Sequence, residues 1–118
     1  LRLRLGVAVR LKAGVRIFGI RPELVLALGI ADDIWRQHGP VAEGAVVTSV
    51  MDGVHQDGSD HYRGTAVDLR VTTLDDPAAA TAALRAALGE DFVVLLERTP
   101  PHVHVSFRPQ RPYTGGVG

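Results

Sequence analysis

The chain has 118 residues, no cysteine, and thirteen basic residues balanced by thirteen acidic ones. A chain of this length makes one domain that buries roughly two-thirds of the surface its unfolded form exposes, so it needs no disulfide staple. Thiolate metal ligands and a cysteine nucleophile are excluded, and zero net charge gives no reason to expect nucleic acid or an anionic membrane as the main partner.

The first 22 residues carry Arg2, Arg4, Arg10, Lys12, Arg16 and Arg21 with no acid, a pattern that reads as the solvated face of strands, with an electrostatic footprint as the second reading. Residues 5–11 and 15–18 form two extended pieces separated by a turn at Ala13-Gly14. No charged, apolar and small-residue secretory pattern opens the chain, whose first residue is Leu1 rather than Met.

A helix follows. Pro22 suits its first position and Glu23 the positive end of its dipole, while Leu24, Ala27, Leu28, Ala31, Ile34, Trp35 and His38 share one face. The longest apolar run, residues 24–31, lies within it, is too short to span a membrane and is closed by Asp32 and Asp33. Gly39-Pro40 ends the helix, and His38 at its C-terminus reads as a partial cap rather than a ligand.

Residues 45–50 are β-branched and predict a strand feeding a polar loop over 52–59, rich in Gly, Asp and His. Residues 65–71 alternate, with Ala66, Asp68 and Arg70 on one side and Thr65, Val67, Leu69 and Val71 on the other. Asp76-Pro77 supplies an N-cap and first position for an alanine-rich helix through Leu88, stopped by Gly89. Residues 92–97 and 102–107 then form a hairpin, joined by Arg98-Thr99-Pro100-Pro101. Phe92, Val94 and Leu96 share a face with Val103, Val105 and Phe107, whereas Glu97, His102, His104 and Ser106 share the other. One face is core and one is site. Residues 1–107 are expected to form the domain and 108–118 a flexible tail. The fold class expected is α+β: an antiparallel sheet with the site on one face and two helices on the other side or at the edge.

Four of the five histidines fall in two short segments, His55 and His61 in one and His102 and His104 in the other. Two imidazoles and a carboxylate from separate segments suit zinc, and three protein ligands leave a fourth tetrahedral position for water. Small residues at Gly64 and Ala66 let backbone pass close to a metal or substrate. A carboxylate at Glu97 lies within reach of the His104 position across the hairpin. Zinc-activated water with a carboxylate base beside it would suit hydrolysis of an amide.

The run Ser59-Asp60-His61-Tyr62-Arg63-Gly64-Thr65-Ala66-Val67-Asp68 fits S-x-H-x-x-G-x-A-x-D, and His102-Val103-His104 fits a later H-x-H. In that order, after Val47-Thr48-Ser49, these elements resemble the zinc D-alanyl-D-alanine metallopeptidases, a superfamily that also holds lysostaphin and the Hedgehog signalling domain. The resemblance covers residues 20–107. It implies a Hedgehog/DD-peptidase-like fold, His61, Asp68 and His104 as zinc ligands, Glu97 as general base and His102 as the group that stabilises the developing oxyanion. His55 matches a second active-site histidine of the Hedgehog branch, or is a loop histidine. The substrate implied is a peptidoglycan stem peptide, cut at a D-Ala-D-Ala or an L-Ala-D-Glu type bond by a monomeric bacterial or phage enzyme. The compartment is left open between the cell wall and a host cytoplasm. A non-catalytic, zinc-stabilised binding domain is the alternative.

Individual residues keep second readings. Glu97 serves as base or as a rim charge paired with Arg98 or Arg63, and Ser59 bonds substrate or caps its own loop. Relatives carry an arginine shortly after the Thr-Ser pair, where this chain has Val50-Met51-Asp52, so anchoring falls to Arg63 or Arg70. Glu97 and His102 are also spaced one or two residues further apart than in the family, with Pro100-Pro101 as the extra length. Of the upstream acids needed for Hedgehog-type calcium binding, only Asp52 is evident.

Overall fold

The computed structural model describes residues 9–15, 20–50 and 66–109. Their chain order is β1 (Arg10–Leu11), α1 (Pro22–Gln37), β2 (Val46–Ser49), β3 (Ala66–Arg70), α2 (Pro77–Leu88), β4 (Phe92–Arg98) and β5 (Pro101–Phe107). The strands form one sheet in the order β1-β2-β3-β5-β4. The expected antiparallel sheet needs one correction. β1 runs parallel to β2, pairing Arg10 with Val46 and Leu11 with Val47, while the other three pairings are antiparallel. Of the two extended pieces expected near the N-terminus, only Arg10 and Leu11 form a described strand. Residues 5–8 and 16–18 lie outside the described residues, and Val15 follows the Gly14 turn without joining the sheet.

Local chemistry sets both helices. In α1, Pro22 occupies the first turn and Glu23 takes a 3.3 Å contact from Arg21 Nε. The helix ends at Gln37, and the His38 backbone N–H donates to the Ile34 and Trp35 carbonyls. In α2, Asp76 Oδ1 accepts from the Ala79 N–H at 3.1 Å, satisfying one of the orphan donors of the first turn. Gly89 ends α2 with φ +83° and ψ −171°, a region open only to glycine.

Both helices cover the same face of the sheet. Leu24, Ala27, Leu28, Ala31, Ile34 and Trp35 of α1 and Ala80 and Leu84 of α2 pack with Val47, Val67, Leu69, Val94, Val103 and Val105. Trp35 sits at the centre, fully buried, and its Nε1 donates to the Arg70 carbonyl at 2.7 Å. Burying an unpaired indole N–H would be costly, and that carbonyl offsets the cost.

The helical periodicity predicts the buried apolar stripe of α1 but not Asp32, which is 2% exposed. Asp32 Oδ1 accepts from the Ala45 N–H at 2.9 Å, and Oδ2 accepts from Arg36 Nε at 2.9 Å. Arg36 Nη1 in turn donates to the Val41 carbonyl. A buried carboxylate one turn from its arginine thus ties residues 41–45, which lead into β2, to the helix. Gly44 permits the approach: its φ is +66°, and a Cβ there would stand 2.1 Å from Asp32 Oδ1.

Candidate metal centre

With the helices on one face, the alternation of β3, β4 and β5 sends the remaining side chains to the other. Asp68 lies directly across from His104, Arg70 from His102, Leu95 from His104 and Glu97 from His102. Residues opposed across a ladder share a face. Asp68, Arg70, Leu95, Glu97, His102 and His104 therefore stand together on the sheet face away from the core. Val67, Leu69, Val94, Val103 and Val105, one position off, fill the interior.

The distances divide the site in two. On the inner strands, His104 Nδ1 stands 3.0 Å from Asp68 Oδ1. Toward the hairpin tip, His102 Nε2 stands 3.1 Å from Glu97 Oε1, and 3.8 Å from Asp68 Oδ1. His102 Nδ1 lies 2.6 Å from the Pro100 carbonyl oxygen. The two inner side chains are about four-fifths buried, whereas Glu97 is half exposed. Of the four side chains, Glu97 is the one most open to solvent.

Zinc bonds of 2.0–2.1 Å in a tetrahedral arrangement place two ligand atoms about 3.3 Å apart. Asp68 Oδ1 and His104 Nδ1 are already within a few tenths of an ångström of that separation, so this pair fits two positions on a common ion. Among the described residues no group of three or more His, Asp or Glu side chains assembles around a metal position. His61, the third ligand expected, lies outside the described residues, as do His55, Ser59 and Arg63.

The extra residues between Glu97 and His102 do not push them apart. The expected four-residue connection is a two-residue turn, Thr99-Pro100, joined by a cis peptide bond. β4 runs on through Arg98 and β5 starts at Pro101, so the added length becomes ladder rather than loop. Among the described residues the ion-pair partner of Glu97 is His102, not Arg98. Arg70 stands next to His102 on the site face, where a substrate anchor was expected. His38 packs at the end of α1, its carbonyl accepting from the Asp75 N–H at 2.8 Å, and takes no part in the site.

Two residues next to Asp68 were not read as site residues in the sequence. The β2 ladder slips between Val47, opposite Leu69, and Ser49, opposite Asp68. This bulge brings Ser49 level with the carboxylate, while Thr48 Oγ1 donates to the Asp68 carbonyl at 3.3 Å. A register slip depends on the partner strand, so the alternation of β2 alone carries no sign of it. Comparison of the chain with family models, curated proteins and solved structures yields no match.

Proposed function

We propose that this protein is a zinc-dependent peptidase that hydrolyses an amide bond in peptidoglycan stem peptides, of the D-Ala-D-Ala carboxypeptidase or L-Ala-D-Glu endopeptidase type. The observation that carries the reading is the convergence of Asp68, His104, His102 and Glu97 on one sheet face. It joins a close carboxylate–imidazole pair to a second such pair one step along the strands. The substrate class follows from the resemblance of the Ser59-to-Asp68 and His102-to-His104 motifs to the zinc D-alanyl-D-alanine metallopeptidases.

In this reading Asp68 and His104, with His61, hold the metal. Zinc, when bound, acidifies water and polarises the scissile carbonyl. Glu97, at the exposed end, takes a proton from the attacking water and passes it to the leaving amine. His102 donates to the oxygen on which negative charge develops. Arg70, beside His102, offers a cation for a carboxylate of the peptide.

Purified wall peptides with zinc restored, assayed beside Glu97→Ala, test the reading. The parent protein is expected to cut, and the variant to lose about 10²- to 10⁴-fold in kcat while keeping its zinc. Equal rates in the two proteins overturn the enzyme reading. Zinc retained in both with no turnover in either points instead to a binding domain.

A further inference from the structure

Three rungs of the ladder make up the site face, and they differ in exposure. Ala66, Ser106 and Val93 form the first, Asp68, His104 and Leu95 the second, and Arg70, His102 and Glu97 the third. Ala66 and Ser106 are fully buried although they lie on the face away from the helices, so the face is closed at that end. It opens on the β4 side of the other two rungs, where Leu95 is 46% exposed and Glu97 half exposed.

Leu95 has no part in the core, which its chain neighbours Val94 and Leu96 join instead. The other large apolar side chains exposed among the described residues lie elsewhere: Val25, Leu26 and Ile30 on α1, Val41 in the connection that follows it, and Leu11 level with Val47 on the helix-covered side. A lone exposed leucine is ordinary on a protein surface. This one gains meaning from its place, directly opposite His104 with the Cβ atoms about 5 Å apart and two positions before Glu97. The side chains that flank a scissile amide are only two or three bonds from the reacting carbon, so a carbonyl held at the Asp68–His104 rung brings one of them over Leu95.

We propose that Leu95 is a specificity-determining residue: it is the apolar wall against which the methyl group of an alanine on the carbonyl side of the scissile bond rests. The inference rests on the hydrolase reading and deepens it, since both bond types named there carry such an alanine. A charged side chain in that place loses water and finds no partner at Leu95, so it is rejected. Burying one methyl group is worth about fourfold in affinity.

Leucine-methyl spectra of the full chain test the contact, with Leu95 identified by the signals lost in Leu95→Ser. The probe is the stem pentapeptide L-Ala-D-Glu-L-Lys-D-Ala-D-Ala, added to the zinc-loaded Glu97→Ala protein so that it stays intact. The Leu95 methyl signals are expected to move and to show cross-peaks to an alanine methyl of the peptide, while those of Leu26, exposed on α1, stay in place. Glycine in place of that alanine is expected to weaken binding about fourfold, and to make no difference once Leu95→Ser is added, with zinc content the same in both proteins. Leu95 signals that do not move, or a preference for alanine that survives Leu95→Ser, overturn the proposal. Binding is read without turnover, so a parent protein that cuts the peptide while Leu95 stays silent refutes the wall alone. A Leu95 contact in a protein that never cuts refutes hydrolysis and leaves the wall standing.

Discussion

Single residues in this protein act through the partner they face, and the sequence reveals the partner only in some cases. Asp68 and His104 are 36 positions apart and meet because β3 and β5 are neighbours. Zinc content measured after purification is therefore expected to fall to background in His61→Ala and His104→Ala and to remain at the parent level in His38→Ala. Zinc retained by His104→Ala removes it from the ligand set. Asp32 poses the opposite problem, a charge at the edge of an apolar run that is buried by tertiary contact. Truncating Arg36 leaves that carboxylate without its cation, so Arg36→Ala is expected to cost about 3–5 kcal/mol in urea unfolding. A loss under about 1 kcal/mol would show the pair to be a surface ion pair in energetic terms.

Elements carry signals of uneven range. Both helices were legible to within a residue, since Pro22, Asp76-Pro77 and Gly89 act on backbone groups within one turn. Asp76→Ala is expected to lower stability by about 1 kcal/mol, the worth of a side-chain N-cap. Gly89→Ala is a test of backbone conformation alone, because a Cβ there meets nothing within 4 Å. Its expected cost is about 1–3 kcal/mol, read from the midpoint of thermal unfolding with ΔCp held fixed. The strand alternation of 66–70 and of the terminal hairpin was equally plain, and it put Val67, Leu69, Val94, Val103 and Val105 in the core as expected, although Ala66 and Ser106 on the opposite face are buried as well. Three things needed coordinates: the parallel pairing of β1, the bulge in β2 and the short turn at Thr99-Pro100. Each is fixed by a second segment of chain rather than by the residues of the segment itself.

At the scale of the molecule, one face of a five-stranded sheet is closed by two helices and the other presents the polar site. The link between the layers runs through Trp35, whose indole holds the backbone of Arg70 at the end of the strand that carries Asp68. Trp35→Phe keeps most of the buried bulk and removes the donor, so about 1–3 kcal/mol of stability is expected to be lost in equilibrium unfolding. If the protein holds zinc as proposed, binding would be coupled to folding, because the unfolded chain holds no preformed site. Free zinc at about 100 times its Kd is expected to add about 2.7 kcal/mol of stability, reversed by a chelator. No change in the unfolding midpoint on adding zinc contradicts a site built on Asp68 and His104.

The separation of the two carboxylate–imidazole pairs has an evolutionary corollary. One pair is rooted in the central strands and the other in the last turn of the sheet, its two members only five positions apart. Under the proposed hydrolase reading, changes confined to that tip would silence turnover while leaving Asp68 and His104 in place. The same framework would then stand a few substitutions away from a pure recognition domain, and the route back would be as short.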